Sequence, residues 1–234
     1  PATGMTRLSY PIFAAARIVV ICYAAAVLIL FLLQRRFIYF PAKMSLPSLL
    51  GAAAEINAEA WHNGKGDIIG WHLPARHEAT TPIPSALIVF HGNAGCALDR
   101  FYLAEGVLLA PESANWDVYL FEYPGYGARP GKPCETSLVS AAEEALEQTL
   151  QQHDNVFLLG ESLGSGIAAR LAGNHPDRVT GVVLITPFSS LADVAAFHYP
   201  VLPVRWLLRD RYNNVEDLKR YRGPVAFVLA EHDE

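Results

Sequence analysis

The pentapeptide Gly160-Glu161-Ser162-Leu163-Gly164 holds the residue types with the most direct chemistry in this sequence. It follows an apolar run at 156–159 and precedes a helical stretch at 165–172. A G-x-S-x-G turn between a buried strand and a helix lifts the serine hydroxyl clear of the sheet, with glycine where a side chain would clash. The helix that follows aims its positive end at that hydroxyl. Ser162 is therefore the expected nucleophile, attacking an acyl carbonyl, with the Leu163 N–H placed to hold the oxyanion.

Two further loops follow apolar runs. His91-Gly92-Asn93-Ala94-Gly95 comes after 86–90. Its glycines allow close backbone approach, and such a loop can aim an N–H at an oxyanion or be an ordinary turn. Glu231-His232-Asp233 comes after 225–230. A triad needs a carboxylate to orient the imidazole, and in a strand–elbow–helix protein the order is serine, acid, histidine. Asp233 fits as the acid, and Asp193, beyond the preceding strand, is the next candidate.

No histidine follows Asp233. His232 is its neighbour and should point to the opposite side of a strand end. His91 is expected to brace its own loop. His62, His72, His77, His153, His175 and His198 are expected in surface or packing positions. The base is thus expected beyond Glu234, and the sequence, which opens on Pro1, reads as a piece that is catalytically incomplete as it stands.

The elements around these loops alternate. Runs at 86–90, 117–123, 156–159, 182–185 and 225–230 read as buried strands, and 59–62 with 68–73 as a hairpin about a turn at 63–67. Residues 99–110 and 135–152 read as helices; in the second, Leu138, Ala142, Ala145, Leu146 and Thr149 share one face. The expected fold class is α/β, with a mostly parallel sheet covered by helices on both faces and its chemistry at the carboxyl ends of the strands.

Before this domain, residues 12–33 carry one charge, Arg17. That length in helix reaches across a hydrocarbon core of about 30 Å. Gln34, Arg35 and Arg36 close the run where a signal peptide would need small residues, and Phe37, Tyr39 and Phe40 follow as interfacial aromatics. The run is apolar on every face, unlike an amphipathic core helix. The expected order is a tail (1–11), a single-pass anchor (12–33), a juxtamembrane linker (34–58), then the domain (59–234). Arg7 and Arg17 lie before the span, and Arg35, Arg36 and Lys43 after it, so the charges do not determine the side of the membrane.

Composition excludes other classes. With 52% hydrophobic residues, 18% charged and a net charge of -5, the chain is neither disordered nor built for nucleic acid. Cys22, Cys96 and Cys134 form neither a disulfide framework nor a metal pattern. No metal or cofactor is expected, and the oligomeric state is not legible.

The loops at 91–95, 160–164 and 231–233, with Tyr123-Pro124-Gly125-Tyr126-Gly127, resemble the α/β-hydrolase superfamily. Within it the chain is similar to the membrane-anchored BEM46-like group, related to the ABHD13-like type, through its anchor and Arg35-Arg36-Phe37-Ile38-Tyr39-Phe40-Pro41. The resemblance covers residues 35–234. It implies Ser162 as nucleophile, Asp233 as acid, and the backbone N–H groups of Asn93 and Leu163 as the oxyanion hole. It also implies a last strand and helix beyond Glu234 and a cap at 189–220, whose aromatic and aliphatic residues either line an acyl pocket or simply pack. Phe121-Glu122-Tyr123-Pro124 stands where relatives often read Asp-Tyr-Arg.

The function expected from all this is hydrolysis of a carboxylic ester or thioester through an acyl-enzyme, with a lipid-derived substrate suggested by the anchor. The alternatives are a serine peptidase of the same fold and an inactive membrane-anchored binding or scaffold protein. Epoxide hydrolases and dehalogenases of this fold use an aspartate nucleophile, which Ser162 disfavours.

Overall fold

The computed structural model describes residues 6–75, 83–109 and 115–230, with side chains from Phe13 onward. His77 and the Glu231-His232-Asp233 loop lie outside the described residues. The strands, in chain order, are β1 (Phe40–Pro41), β2 (Glu59–His62), β3 (Ile68–Leu73), β4 (Ser85–Phe90), β5 (Ala94–Gly95), β6 (Trp116–Phe121), β7 (Val156–Glu161), β8 (Gly181–Ile185) and β9 (Val225–Val228). Seven of them form one sheet in the order β2-β3-β6-β4-β7-β8-β9. The β2–β3 and β3–β6 pairs are antiparallel, and every other pair is parallel.

Successive residues of the central strands face opposite layers. Ala86, Ile88 and Phe90 of β4, with Tyr119 and Phe121 of β6, pack into one core. Leu87 and Val89, with Val118 and Leu120, pack into the other. Both faces are buried, which is why these strands read as unbroken apolar runs. The first core is covered by α4 (Glu135–Leu150) and α5 (Leu163–Asn174). The buried face of α4 is Leu138, Ala142, Ala145, Leu146 and Thr149, the face its sequence periodicity selects. The second core is covered by α2 (Leu46–Glu55) and α3 (Phe101–Leu108). The helix expected at 99–110 starts as a 3-10 turn over Ala97–Arg100 and becomes α-helical only at Phe101.

The chain leaves β4 toward β6 on one side and returns as β7 on the other. The crevice above β4 and β7 is therefore the topological switch point, where sheets of this type bind ligands. Between β8 and β9 the chain forms α6 (Leu191–His198), α7 (Val204–Leu207) and α8 (Asn214–Leu218), within the stretch expected as a cap.

The N-terminal helix α1 runs Thr6–Ile38. Its Phe13–Ile38 part is long and apolar enough to cross a membrane by length and composition. It extends past the expected end at residue 33, where Gln34 and Arg35 find partners between α7 and α8: the Arg209 N–H donates to Gln34 Oε1 (2.8 Å), and Arg35 donates twice to the buried Asp210 (2.9 and 3.1 Å).

The 34–58 stretch is more than a connector. β1 lies parallel to β5, with Phe40 N–H on Asn93 O and Ala42 N–H on Gly95 O, both 2.9 Å. Ser45 caps α2, accepting from Ser48 N–H at 3.3 Å. Leu49 and Ala53, one helical turn apart, are 2% and 1% exposed. Proline, alanine and serine hide this pair from a composition-based reading, since two apolar positions in a short helix make a weak period. Leu49→Ala should therefore cost about 2–4 kcal/mol in a urea titration. A change below about 0.5 kcal/mol, the ordinary range for surface substitutions, would show that α2 does not dock.

Candidate active site

Ser162 stands between β7 and α5 with φ 49° and ψ −112°, a strained backbone for a residue with a side chain. The turn is possible because its neighbours lack side chains. A Cβ on Gly160 would sit 2.4 Å from the Gly164 carbonyl oxygen, and one on Gly164 would sit 2.1 Å from the Phe90 carbonyl oxygen. The elbow is thus pressed onto the end of β4. The Ser162 N–H donates to Ile185 O at 2.9 Å, and Ser165 Oγ donates to Ser162 O at 2.5 Å while accepting from Asn214 Nδ2 at 2.8 Å. β8 and α8 therefore hold the turn from both sides. The helix begins at Leu163, two residues before the expected 165, so the Leu163 N–H lies in the first turn, where no intrahelical acceptor exists.

Asn93 is fixed by three neighbours. Its carbonyl accepts from Phe40 N–H (2.9 Å) and Tyr126 O–H (2.7 Å), and its Nδ2 donates to Ile38 O (3.1 Å). These bonds use its carbonyl and side chain, not its backbone N–H. His91 is 1% exposed, with Nδ1 2.8 Å from Gly92 O and its ring 3.9 Å from that of Tyr123. It braces its own loop. Its Nε2 lies 3.5 Å from Oε1 of Glu122, a buried carboxylate that also accepts the Ala97 N–H with both oxygens. Glu122 thereby holds the start of the 3-10 turn beside the 91–95 loop, a role not legible in Phe121-Glu122-Tyr123-Pro124. The signal was an acid placed directly after the apolar run 118–121. On the other side of the elbow, Glu161 accepts from Arg100 Nε at 2.6 Å. Burial is the largest single influence on Arg100 and works against its charge, but the Glu161 hydrogen bond and charge, with Tyr102 and Asp99, together outweigh it and the pKa is raised.

Ser162, Leu163 and Asn93 line one cavity of about 410 Å³. The 189–220 stretch supplies another wall through residues including Val194, His198 and Leu208. The third wall is α1: Val27, Leu30, Phe31, Gln34, Phe37 and Ile38 face the cavity. Sequence reasoning missed this wall; His198, expected in a surface or packing position, is exposed and also borders the cavity. The other described histidines sit in such places too. His62 is exposed, His72 Nε2 is 2.6 Å from Asp117, His153 Nε2 is 3.0 Å from Tyr119 Oη, and His175 pairs with Glu143.

Asp193, the reserve candidate for the acid, is occupied elsewhere. It accepts from Ser190 Oγ (2.7 Å) and Ser189 Oγ (3.2 Å) and pairs with Arg205 (2.6 Å). The Ser190 bond and then Arg205 hold its carboxyl below the usual range. Cys96 is the nearby thiol. Burial, aided by Glu122 and Asp99, pushes its pKa to about 11, so it stays protonated and unreactive near neutral pH. Among the described residues no cluster of three or more His, Cys, Asp or Glu is arranged to hold a metal.

The family model described as the alpha/beta hydrolase fold matches residues 85–233. An uncharacterised protein of Mycobacterium tuberculosis is 35% identical over 224 residues, covering 93% of this chain and 76% of that protein. Protein bem46 of Schizosaccharomyces pombe is 26% identical over 155 residues, covering 63% of this chain and 51% of that protein. Among solved structures, an esterase of Pyrococcus furiosus superposes with a TM-score of 0.55 at 13% identity, over 81% of this chain and 76% of its own. Strand order, a serine on a strained strand-to-helix turn and these likenesses converge, and the chain belongs to the α/β-hydrolase fold family, with a BEM46 protein among its relatives.

Proposed function

We propose that the protein is a membrane-anchored serine hydrolase that cleaves carboxylic esters or thioesters of acyl chains. The observation that carries this reading is Ser162, strained at the elbow and lining an apolar cavity together with Leu163 and Asn93. A volume of about 410 Å³ suits a small lipid or part of an acyl chain. Ser162 Oγ attacks the acyl carbonyl as an imidazole takes its proton. The N–H groups of Leu163 and Asn93 hold the tetrahedral oxyanion. Collapse breaks the bond to the leaving alcohol or thiol, which receives the proton from the imidazolium. Water then attacks the acyl-enzyme by the same route, releasing the acid and restoring the serine. Asp233 is the carboxylate that orients the imidazole, and the base follows it in chain order. α1 holds this machinery at a bilayer, and the esterase likeness of the fold agrees with the chemistry.

The test is labelling of the full-length protein in detergent with a fluorophosphonate, the modified residue being located by mass spectrometry. Label on Ser162, followed by turnover across a chain-length series of p-nitrophenyl esters, is the expected result. A folded full-length protein that takes no label and cleaves no ester would reject the reading.

A further inference from the structure

α1 and the cap touch far above the point where the chain enters the hydrolase domain. Beyond the Gln34 and Arg35 bonds, Tyr23 O–H donates to Val201 O at 2.7 Å. Tyr23 precedes Arg35 by twelve residues in one continuous helix, about 18 Å along its axis. The depth of that contact in a membrane follows from the charges. Arg17 and Arg35 bracket a stretch without charge, and their spacing of eighteen residues is about 27 Å of helix, close to a hydrocarbon core of about 30 Å. With one guanidinium at each boundary, Tyr23 lies inside the hydrocarbon, about 9 Å from the Arg17 boundary. Moving the span toward the N-terminus would bury Arg17, so this register is the cheap one. The cap segment bonded to Tyr23 then shares its depth.

The cap is built for that position. Phe197, Val201 and Trp206 are 79%, 78% and 86% exposed, on the part of the cap that reaches Tyr23. Backbone exposed to hydrocarbon must satisfy its own polar groups. In the 199–204 connection, Pro200 and Pro203 have no N–H, and three of the other four N–H groups, those of Tyr199, Leu202 and Val204, donate to Ala195, Tyr199 and Leu202 carbonyls. The Val201 carbonyl is the one that takes the Tyr23 hydroxyl. The charge of Arg205 is paired with Asp193 at 2.6 Å. Meanwhile α1 residues Val27 and Phe31, inside the same span, form a wall of the Ser162 cavity.

We propose that the cap is embedded in the bilayer beside α1, and that the cavity takes a membrane-resident acyl ester sideways from the surrounding leaflet. The substrate clause rests on the hydrolase reading; the embedding does not. Of the four tryptophans, Trp61 and Trp71 are buried and Trp116 is half-buried, so Trp206 is the exposed reporter. Full-length protein in phosphatidylcholine vesicles should lose tryptophan emission when the lipid carries bromines at mid-chain, and Trp206→Phe should remove most of that loss. Equal bromolipid quenching in Trp206→Phe, or Trp206 emission quenched by aqueous acrylamide instead, would overturn the embedding. So would an unquenched Trp206 in a protein that runs as a dimer, since a second copy would then cover this face. In the same vesicles, Phe197→Glu with Trp206→Glu should lower hydrolysis of a long-chain glycerol monoester about tenfold relative to a water-soluble butyrate ester. An unchanged ratio would overturn sideways entry. Bromolipid quenching without hydrolysis of either ester would reject the hydrolase reading and leave the embedding standing. Hydrolysis without quenching would do the reverse.

Discussion

Ester turnover should fall by roughly a million-fold in Ser162→Ala, the scale seen when a triad nucleophile is removed. The loss should be almost purely chemical. Ser162 is held in place by its backbone: its N–H on Ile185 O and its carbonyl under the N–H and hydroxyl of Ser165. Among the described residues its own hydroxyl makes no hydrogen bond, so alanine removes no structural contact and leaves the strained φ where it is. Melting temperature should shift by no more than about 1 kcal/mol allows, a few degrees for a domain of this size. Fluorophosphonate labelling should disappear with activity. A folded Ser162→Ala protein that keeps more than about 1% of turnover would place the nucleophile elsewhere, because the oxyanion donors and binding alone leave far less.

Gly164→Ala should lower stability and catalysis together. The added methyl would stand 2.1 Å from the Phe90 carbonyl oxygen and 2.8 Å from that of His91, both backbone atoms that no rotamer change can move. The start of α5 must retreat from the end of β4, at a cost of about 3 kcal/mol in urea denaturation. The same retreat separates the two proposed oxyanion donors, since Leu163 moves with the helix and Asn93 is pinned to Ile38, Phe40 and Tyr126. A misplacement of about 1 Å is enough for a loss of roughly a hundredfold in kcat. Gly106→Ala is the control: it lies in α3 with nothing within 4 Å of an added Cβ. It should be neutral or stabilising by up to about 1 kcal/mol. Equal stability of the two variants would contradict the close approach of elbow and strand.

Local chemistry made several features legible without coordinates. β4, β6, β7 and β8 lie within a residue or two of their expected positions because strands buried on both faces are continuous apolar runs. α4 is legible because its five buried residues repeat at the helical period. The elbow is legible because a turn of that strain admits few residue types, and all of them are neighbours in the chain.

What depends on distant partners was not legible. β1 and α2 were hidden because two residues of strand and two buried positions of helix carry almost no period, and β1 acquires meaning only by pairing with Ala94 and Gly95. Glu122 looked like a departure from a family pattern until the fold set it against Ala97 and His91. The N-terminal helix α1 is the sharpest case. A helix apolar on every face announces its length and solvent but not which side it shows to a neighbour, because no residue contrast marks one stripe from another. Composition therefore determined that α1 can cross a bilayer. Packing against Asp210, Arg209 and Val201, all more than 170 positions away in the chain, decided that one side of it faces Ser162.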